Sequence, residues 1–124
     1  MTKNNNWFLK VDSQEMRVYP IQLNLDEDGS LGLSELYKEV DCSMVERMRL
    51  GQNLELWFDE EGLWTSKNAF VLGGGYASIR GNAIMAMTDW TDDGAVSAGW
   101  VCKEDVPLIH ISDWIIINDP SDII

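Results

Sequence analysis

Histidine, cysteine and proline are scarce in these 124 residues, and basic side chains number 9 against 21 acidic ones. Each shortage excludes something. His110, the one histidine, has no cysteine near it, which leaves a poor zinc site. It lies in the alternating run LIHIS and reads as a partly buried or surface residue. No G-x-S-x-G surrounds any serine, so no Ser/His/Asp set is legible. Cys42 and Cys102 are far apart and outside any CxxC. They read as reduced, buried thiols of an intracellular protein, with a disulfide between them left open.

The lack of positive charge excludes more. With a formal net charge of −12 there is no basic footprint to displace counterions, so direct nucleic-acid binding is not expected. Anionic membranes are disfavoured for the same reason. The longest apolar runs, such as WIIIN at 114–118, are too short to span a bilayer. The opening MTKNNNWFLK carries no signal-peptide core, so the expected location is the cytosol. Folding could still gather Lys38, Arg47, Arg49 and Lys67 into a local basic patch.

What is present suits one compact domain over residues 1–124: 45% of the chain is hydrophobic, enough for a single core. Trp7–Val11 reads as a strand and Met16–Leu25 as a second, joined by a turn near Asp12–Gln14. Pro20 puts the second at a sheet edge or a bulge. Leu33, Leu36, Tyr37 and Val40 repeat at helical spacing, which predicts a helix over Ser30–Asp41 capped by Ser30 or Ser34. Met44–Leu50 and Asn53–Phe58 read as paired strands, and Leu63–Thr65 as a further antiparallel piece. Residues 66–82, rich in glycine, read as an irregular loop. Ala83–Met87, Val96–Cys102 and Leu108–Asn118 supply more strands. The expected class is α+β: a mostly antiparallel sheet against one main helix.

Four stretches carry candidate chemistry. NLDEDGSLGLSE aligns Asn24, Asp26, Asp28 and Glu35 with a calcium-loop pattern. The strand-like RVYPIQL before it takes the place of an entering helix, so a polar turn is the preferred reading and no metal is expected. Asp59, Glu60 and Glu61 form a second acidic cluster at a turn, where holding the loop is preferred to acid–base work. Gly74, Gly75 and Tyr76, with Arg80 following and Lys67 before, are the best place for a small anion, although the lysine of a P-loop is missing. The six tryptophans should mostly serve the core. Trp57 and Phe58 are adjacent in one strand and point to opposite faces, so one meets the helix and the other needs a separate cover. An exposed Trp64 or Trp90 would be a binding anchor.

The middle of the chain also resembles a small family of domains of unknown function carried by phages, plasmids and other mobile elements. That family runs from a helix ending in an "lvGGyiE" segment through a strand pair, an "NEEG" turn and a later asparagine to a glycine-led strand. Here LGLSELYKEV is the helix and Glu46 stands at the glutamate. DEEG at Asp59–Gly62 is the turn, Asn68 the asparagine, and GNAIMAM at Gly81–Met87 the strand. Asp41 and Cys42 replace the paired glycines, and Asp59 replaces the asparagine of the turn. The resemblance covers about residues 30–88, making 88–124 a C-terminal β extension. It implies a mobile-element origin and a compact α+β fold.

Charge and resemblance together lead to a small acidic binding protein that docks a basic surface on a host protein or defence complex and modulates it. Its contacts would be Asp26, Asp28, Glu60, Glu61, Asp92 and Asp93, with Trp64 and Trp90 as anchors. The alternative is a small-molecule binder, for instance of a signalling nucleotide, using Gly74, Gly75, Tyr76 and Arg80. An enzyme is the second alternative, with no catalytic set legible. No cofactor is expected, and exposed sheet edges make a homodimer an expectation.

Overall fold

The computed structural model describes residues 5–51, 53–61, 68–73, 78–92 and 94–116. In chain order the elements are β1 (Trp7–Asp12), β2 (Arg17–Gln22), α1 (Leu33–Val40), β3 (Val45–Gly51), β4 (Leu54–Asp59), β5 (Ala69–Leu72), β6 (Ser78–Arg80), β7 (Ala83–Thr91), β8 (Gly94–Ala98) and β9 (Ile111–Ile115). A short 3-10 helix at Lys103–Asp105 precedes β9. The α+β class is as expected: mostly antiparallel strands with one α-helix. Among the described residues, no helix is long and apolar enough to cross a membrane.

β7 organises the larger sheet. Six strands run in the order β2-β1-β7-β4-β3, with β8 also paired to β7. Ala83–Met85 of β7 pair with β1, and Met87–Thr91 pair with β8. β4 lies along the other flank. β8 therefore continues the lane that β1 leaves. The seam is closed by reciprocal backbone bonds between Trp7 and Trp100, at 3.1 and 2.8 Å. Gly99 permits this crossing: a Cβ there would lie 2.6 Å from the carbonyl oxygens of Asn5 and Trp7.

Side-chain alternation sorts the core into two layers. Phe8, Ile84 and Ala86 face α1 and pack with its Leu36 and Val40, together with Leu23 and Leu31. Leu9, Val11, Leu56, Ala83 and Met85 face the other way, against Phe70, Leu72 and Ile79 of a second sheet ordered β6-β5-β9. The stack is helix, six-stranded sheet, three-stranded sheet. A fully buried side chain such as Phe8 contributes about 1.5–3 kcal/mol. The adjacent pair behaves as expected: Trp57 packs on the helix side and Phe58 on the second-sheet side.

Several expectations are corrected. Residues 66–82 are not one irregular loop, because Ala69–Leu72 and Ser78–Arg80 pair as β5 and β6. The glycines between them mask a short buried strand. The helix starts at Leu33 rather than Ser30. Leu31 is drawn into the core and donates its N–H to Ser97, Gly32 is extended at the N-cap, and Ser30 binds Asp28 instead of capping. β8 ends at Ala98, short of Cys102. Position 88 falls inside β7, and strands beyond it join both sheets. The expected strand Leu63–Thr65 lies outside the described residues.

Candidate binding face

α1 has 8 residues, about 12 Å of helix, whereas β7 has 9 residues, about 30 Å of strand. The helix is shorter than the strand it packs on, and on the same face Arg47, Arg49 and Trp90 are exposed while Glu55, Thr88 and Ser97 stay buried. Alternation brings Arg47 and Arg49 of β3, Glu55 and Trp57 of β4, Thr88 and Trp90 of β7, and Ser97 of β8 to that face. The register sets Arg47 opposite Trp57, Arg49 opposite Glu55, and Thr88 opposite Ser97.

Glu55 is the centre of this region and is 2% exposed. Thr88 Oγ1 donates to its Oε2 at 2.8 Å, and Trp57 Nε1 donates to Oε1 at 3.2 Å. Ser97 Oγ donates to Oε1 as well, and receives the Trp57 N–H at 3.1 Å. Arg47 Nη1 lies 3.6 Å from Oε2, with its guanidinium 5.9 Å from the centre of the Trp57 ring. A buried carboxylate is tolerated when its lone pairs are filled and a cation stands near, and both conditions hold. The network fixes Trp57, Thr88 and Ser97 as a floor.

Two open troughs flank that floor. One, of about 260 Å³, runs past Ser30, Leu33, Arg47, Trp57 and Ser97. The other, of about 320 Å³, is walled by Arg49, Asn53, Thr88 and Trp90. Trp90 is 62% exposed although it stands in a regular strand. A polar cleft of about 250 Å³ lies elsewhere, where the β1–β2 turn meets Asn68, Gly81 and Asn82. Its groups are taken up with one another. Ser13 donates its N–H to Asn82 and its hydroxyl to Gly81. Asn68 donates to the Ser13 carbonyl and accepts from Gly81 N–H. Asn68 thus clasps the two hairpins.

The acidic candidates do not converge. Asp26 and Asp28 are exposed in the loop entering α1. Ser30 donates its hydroxyl and N–H to Asp28, and this holds the Asp28 carboxyl below the usual aspartate range. Glu60 and Glu61 follow β4 at the Ala83 end of β7, while Asp92 follows Thr91 at its far end, about 30 Å away by strand rise. In the DEEG turn it is Asp59, not a glutamate, that accepts the Glu61 N–H, at 2.9 Å. Asn24 is exposed, and Glu35 pairs with Lys38 at 3.1 Å. No group of three or more acidic, cysteine or histidine side chains suited to a metal occurs among the described residues. Arg80 sits half-buried in β6. Trp64, Lys67, Gly74, Gly75, Tyr76 and Asp93 lie outside the described residues.

Of the expected basic patch, Arg47 and Arg49 stand together and Lys38 is engaged by Glu35. His110 is exposed, and its carbonyl accepts the Gly73 N–H at 2.8 Å. Neither cysteine is in a disulfide, and both are half-buried. The Cys102 thiol donates to Asp105 Oδ2 at 2.9 Å, which pushes its pKa up. The residues that sequence reasoning missed are Glu55, Thr88 and Ser97. The available clue was a glutamate inside the apolar strand LELWF, on the same side as Trp57.

Comparisons with family models, with curated proteins and with solved structures find no match for the chain.

Proposed function

We propose that the protein acts by binding, without a reaction of its own, and that it docks a protein partner on the exposed part of its helix-side sheet face. The observation that carries this is Trp90, 62% exposed in a regular strand and next to a trough walled by Arg49. Tryptophan and arginine are the residue types most enriched at interface hot spots. The face is bipolar. Arg47 and Arg49 flank it on β3, while Asp26, Asp28 and Asp92 stand in the loop before α1 and the turn after β7. The strong negative charge of the chain speeds encounter with a basic surface, and the exposed Trp90 supplies the desolvated contact. The resemblance to domains of mobile elements supports a host protein or defence complex as the partner.

The test is capture from host lysate by the wild-type chain and by Trp90→Ala, washed at low and high salt. The expected result is one protein that the wild type holds, that high salt releases, and that Trp90→Ala fails to retain. Equal retention by the two baits overturns the reading.

A second reading, a small anionic ligand, is favoured by the trough of about 320 Å³, where Trp90 offers a stacking surface and Arg49 a cation. It predicts that nucleotides raise the melting temperature of the wild type and not of Arg49→Ala. A melting temperature unmoved by nucleotides overturns it.

A further inference from the structure

The helix-side face ends at β3, which pairs with β4 and, among the described residues, with nothing else. The opposite edge, β2, is blunted by Pro20, which lacks an N–H. β3 has no proline, and its ladder is regular from Val45 to Arg49 before a bulge at Gly51. A regular edge of this kind presents unpaired backbone donors and acceptors to an incoming strand.

Its side chains state what that strand should carry. Arg47 and Arg49 project to the helix-side face. The Arg49 side chain has no ion pair or hydrogen bond among the described residues. Met48 and Leu50 project to the other face, pack at the margin of the inter-sheet core, and border a cavity of about 190 Å³ with Leu72. Positions directly opposite on neighbouring strands share a face and interact. A strand laid along β3 would therefore set its carboxylates against Arg47 and Arg49, with apolar side chains between them entering the cavity beside Met48 and Leu50.

We infer that β3 is a strand-addition site for a partner segment in which acidic and apolar residues alternate. This rests on the docking reading above and names the partner's contact segment. A second copy of this chain is a poor occupant. In a two-fold antiparallel β3–β3 pair, every register centred on Arg47, Met48 or Arg49 sets arginine against arginine. Like charges directly opposite are destabilising. The same two arginines that repel a copy admit an acidic strand.

The test uses the whole chain labelled for amide NMR and three end-blocked peptides: one alternating glutamate and valine, its lysine-for-glutamate counterpart, and the glutamate peptide with N-methylated backbone amides. The glutamate peptide should shift and protect amides of Val45–Arg49. The lysine and N-methylated peptides should bind about tenfold or more weakly. Arg49→Glu should lose the glutamate peptide and gain the lysine one, a rescue that misfolding does not produce. Equal binding of the two charge forms, undiminished binding of the N-methylated form, or shifts confined to other strands overturns the inference. If lysate capture depends on Trp90 but not on Arg47 or Arg49, docking stands and strand addition falls. If nothing is captured, the docking reading falls while the peptide arm still decides the edge.

Discussion

Thr88 of β7 donates its hydroxyl to the carboxylate of Glu55 in β4 at 2.8 Å, and this buried bond joins the long central strand to its neighbour. Ser97 and Trp57 fill the other carboxylate oxygen. The part of the helix-side face around Trp57 is therefore tied together by hydrogen bonds to a buried carboxylate. Its stability thus depends on one side chain.

Glu55→Ala removes the acceptor from three donors at once. Leaving buried donors unpaired costs about 1–3 kcal/mol each where water cannot replace the partner, so a loss of about 3 kcal/mol is expected. Glu55→Gln, which keeps the shape and part of the acceptor capacity, should lose less. Arg47→Ala should cost less than Glu55→Ala, because the three hydrogen bonds to the carboxylate remain and solvent screens the half-exposed Arg47 end of the pair, although it strips the buried Glu55 of its neighbouring cation. Urea unfolding of the three variants checks the order. A loss for Arg47→Ala equal to that for Glu55→Ala would mean that the ion pair, not the hydrogen bonds, holds the floor.

Gly99→Ala should destabilise the seam between β1 and β8. The new methyl would lie 2.6 Å from two backbone carbonyl oxygens and 2.8 Å from the Phe8 ring. Backbone atoms cannot move aside as a flexible side chain would, so a cost of about 1–3 kcal/mol is expected. Thermal unfolding gives the magnitude. Amide exchange should show Trp7 and Trp100 losing protection ahead of β4. Gly51→Ala, where a Cβ meets nothing within 4 Å, is the control.

Much of the fold was legible where the determining contacts are local. The β1–β2 hairpin, Pro20 at an edge, and the opposed facing of Trp57 and Phe58 all follow from alternation and from the missing proline N–H. The helix was legible in register but not in its start, because Leu31 is held by Ser97, far away in sequence. The second sheet was hidden because β5 has only 4 residues and sits among glycines. Of the site, Trp90 and the pairing of Arg47 with Arg49 could be read from the chain. The Glu55 network could not, since Thr88 and Ser97 are brought to it by strand register alone. The acidic residues looked like one surface in the sequence, and strand direction sends them to opposite ends of the sheet.

Cys102 should react slowly with alkylating agents at neutral pH although it is not fully buried. Its thiol donates to Asp105, which favours the protonated form, and the carboxylate charges of Asp105 and Glu104 oppose the thiolate. The pH midpoint of its alkylation should lie above that of an ordinary cysteine and fall in Asp105→Asn. Mass spectrometry of modified peptides separates Cys102 from Cys42. A midpoint unchanged by Asp105→Asn would show that the hydrogen bond does not control the thiol.

Asp28 carries the opposite shift. Ser30 binds its carboxylate through both hydroxyl and N–H, so the charged form is favoured and the pKa is lowered. A depressed pKa means that the stabilisation is present above the unfolded-state value and is lost as pH falls through the folded one. The loop entering α1 should therefore keep its turn through the ordinary aspartate range and loosen only at more acid pH. Side-chain NMR titration should find Asp28 protonating below the ordinary aspartate value, and Ser30→Ala should return it toward that value. The loop also sets a term of the docking reading. Asp26→Lys, Asp28→Lys and Asp92→Lys together should slow association with the captured partner at low salt, with a smaller effect at high salt, because Asp92 follows the strand that carries Trp90 and the loop of Asp26 and Asp28 leads into Leu31, which is bonded to Ser97. Glu60→Lys with Glu61→Lys, at the other end of the sheet, should change the association rate much less. Similar slowing by the two sets would mean that total charge, and not the position of the acids around Trp90, governs encounter.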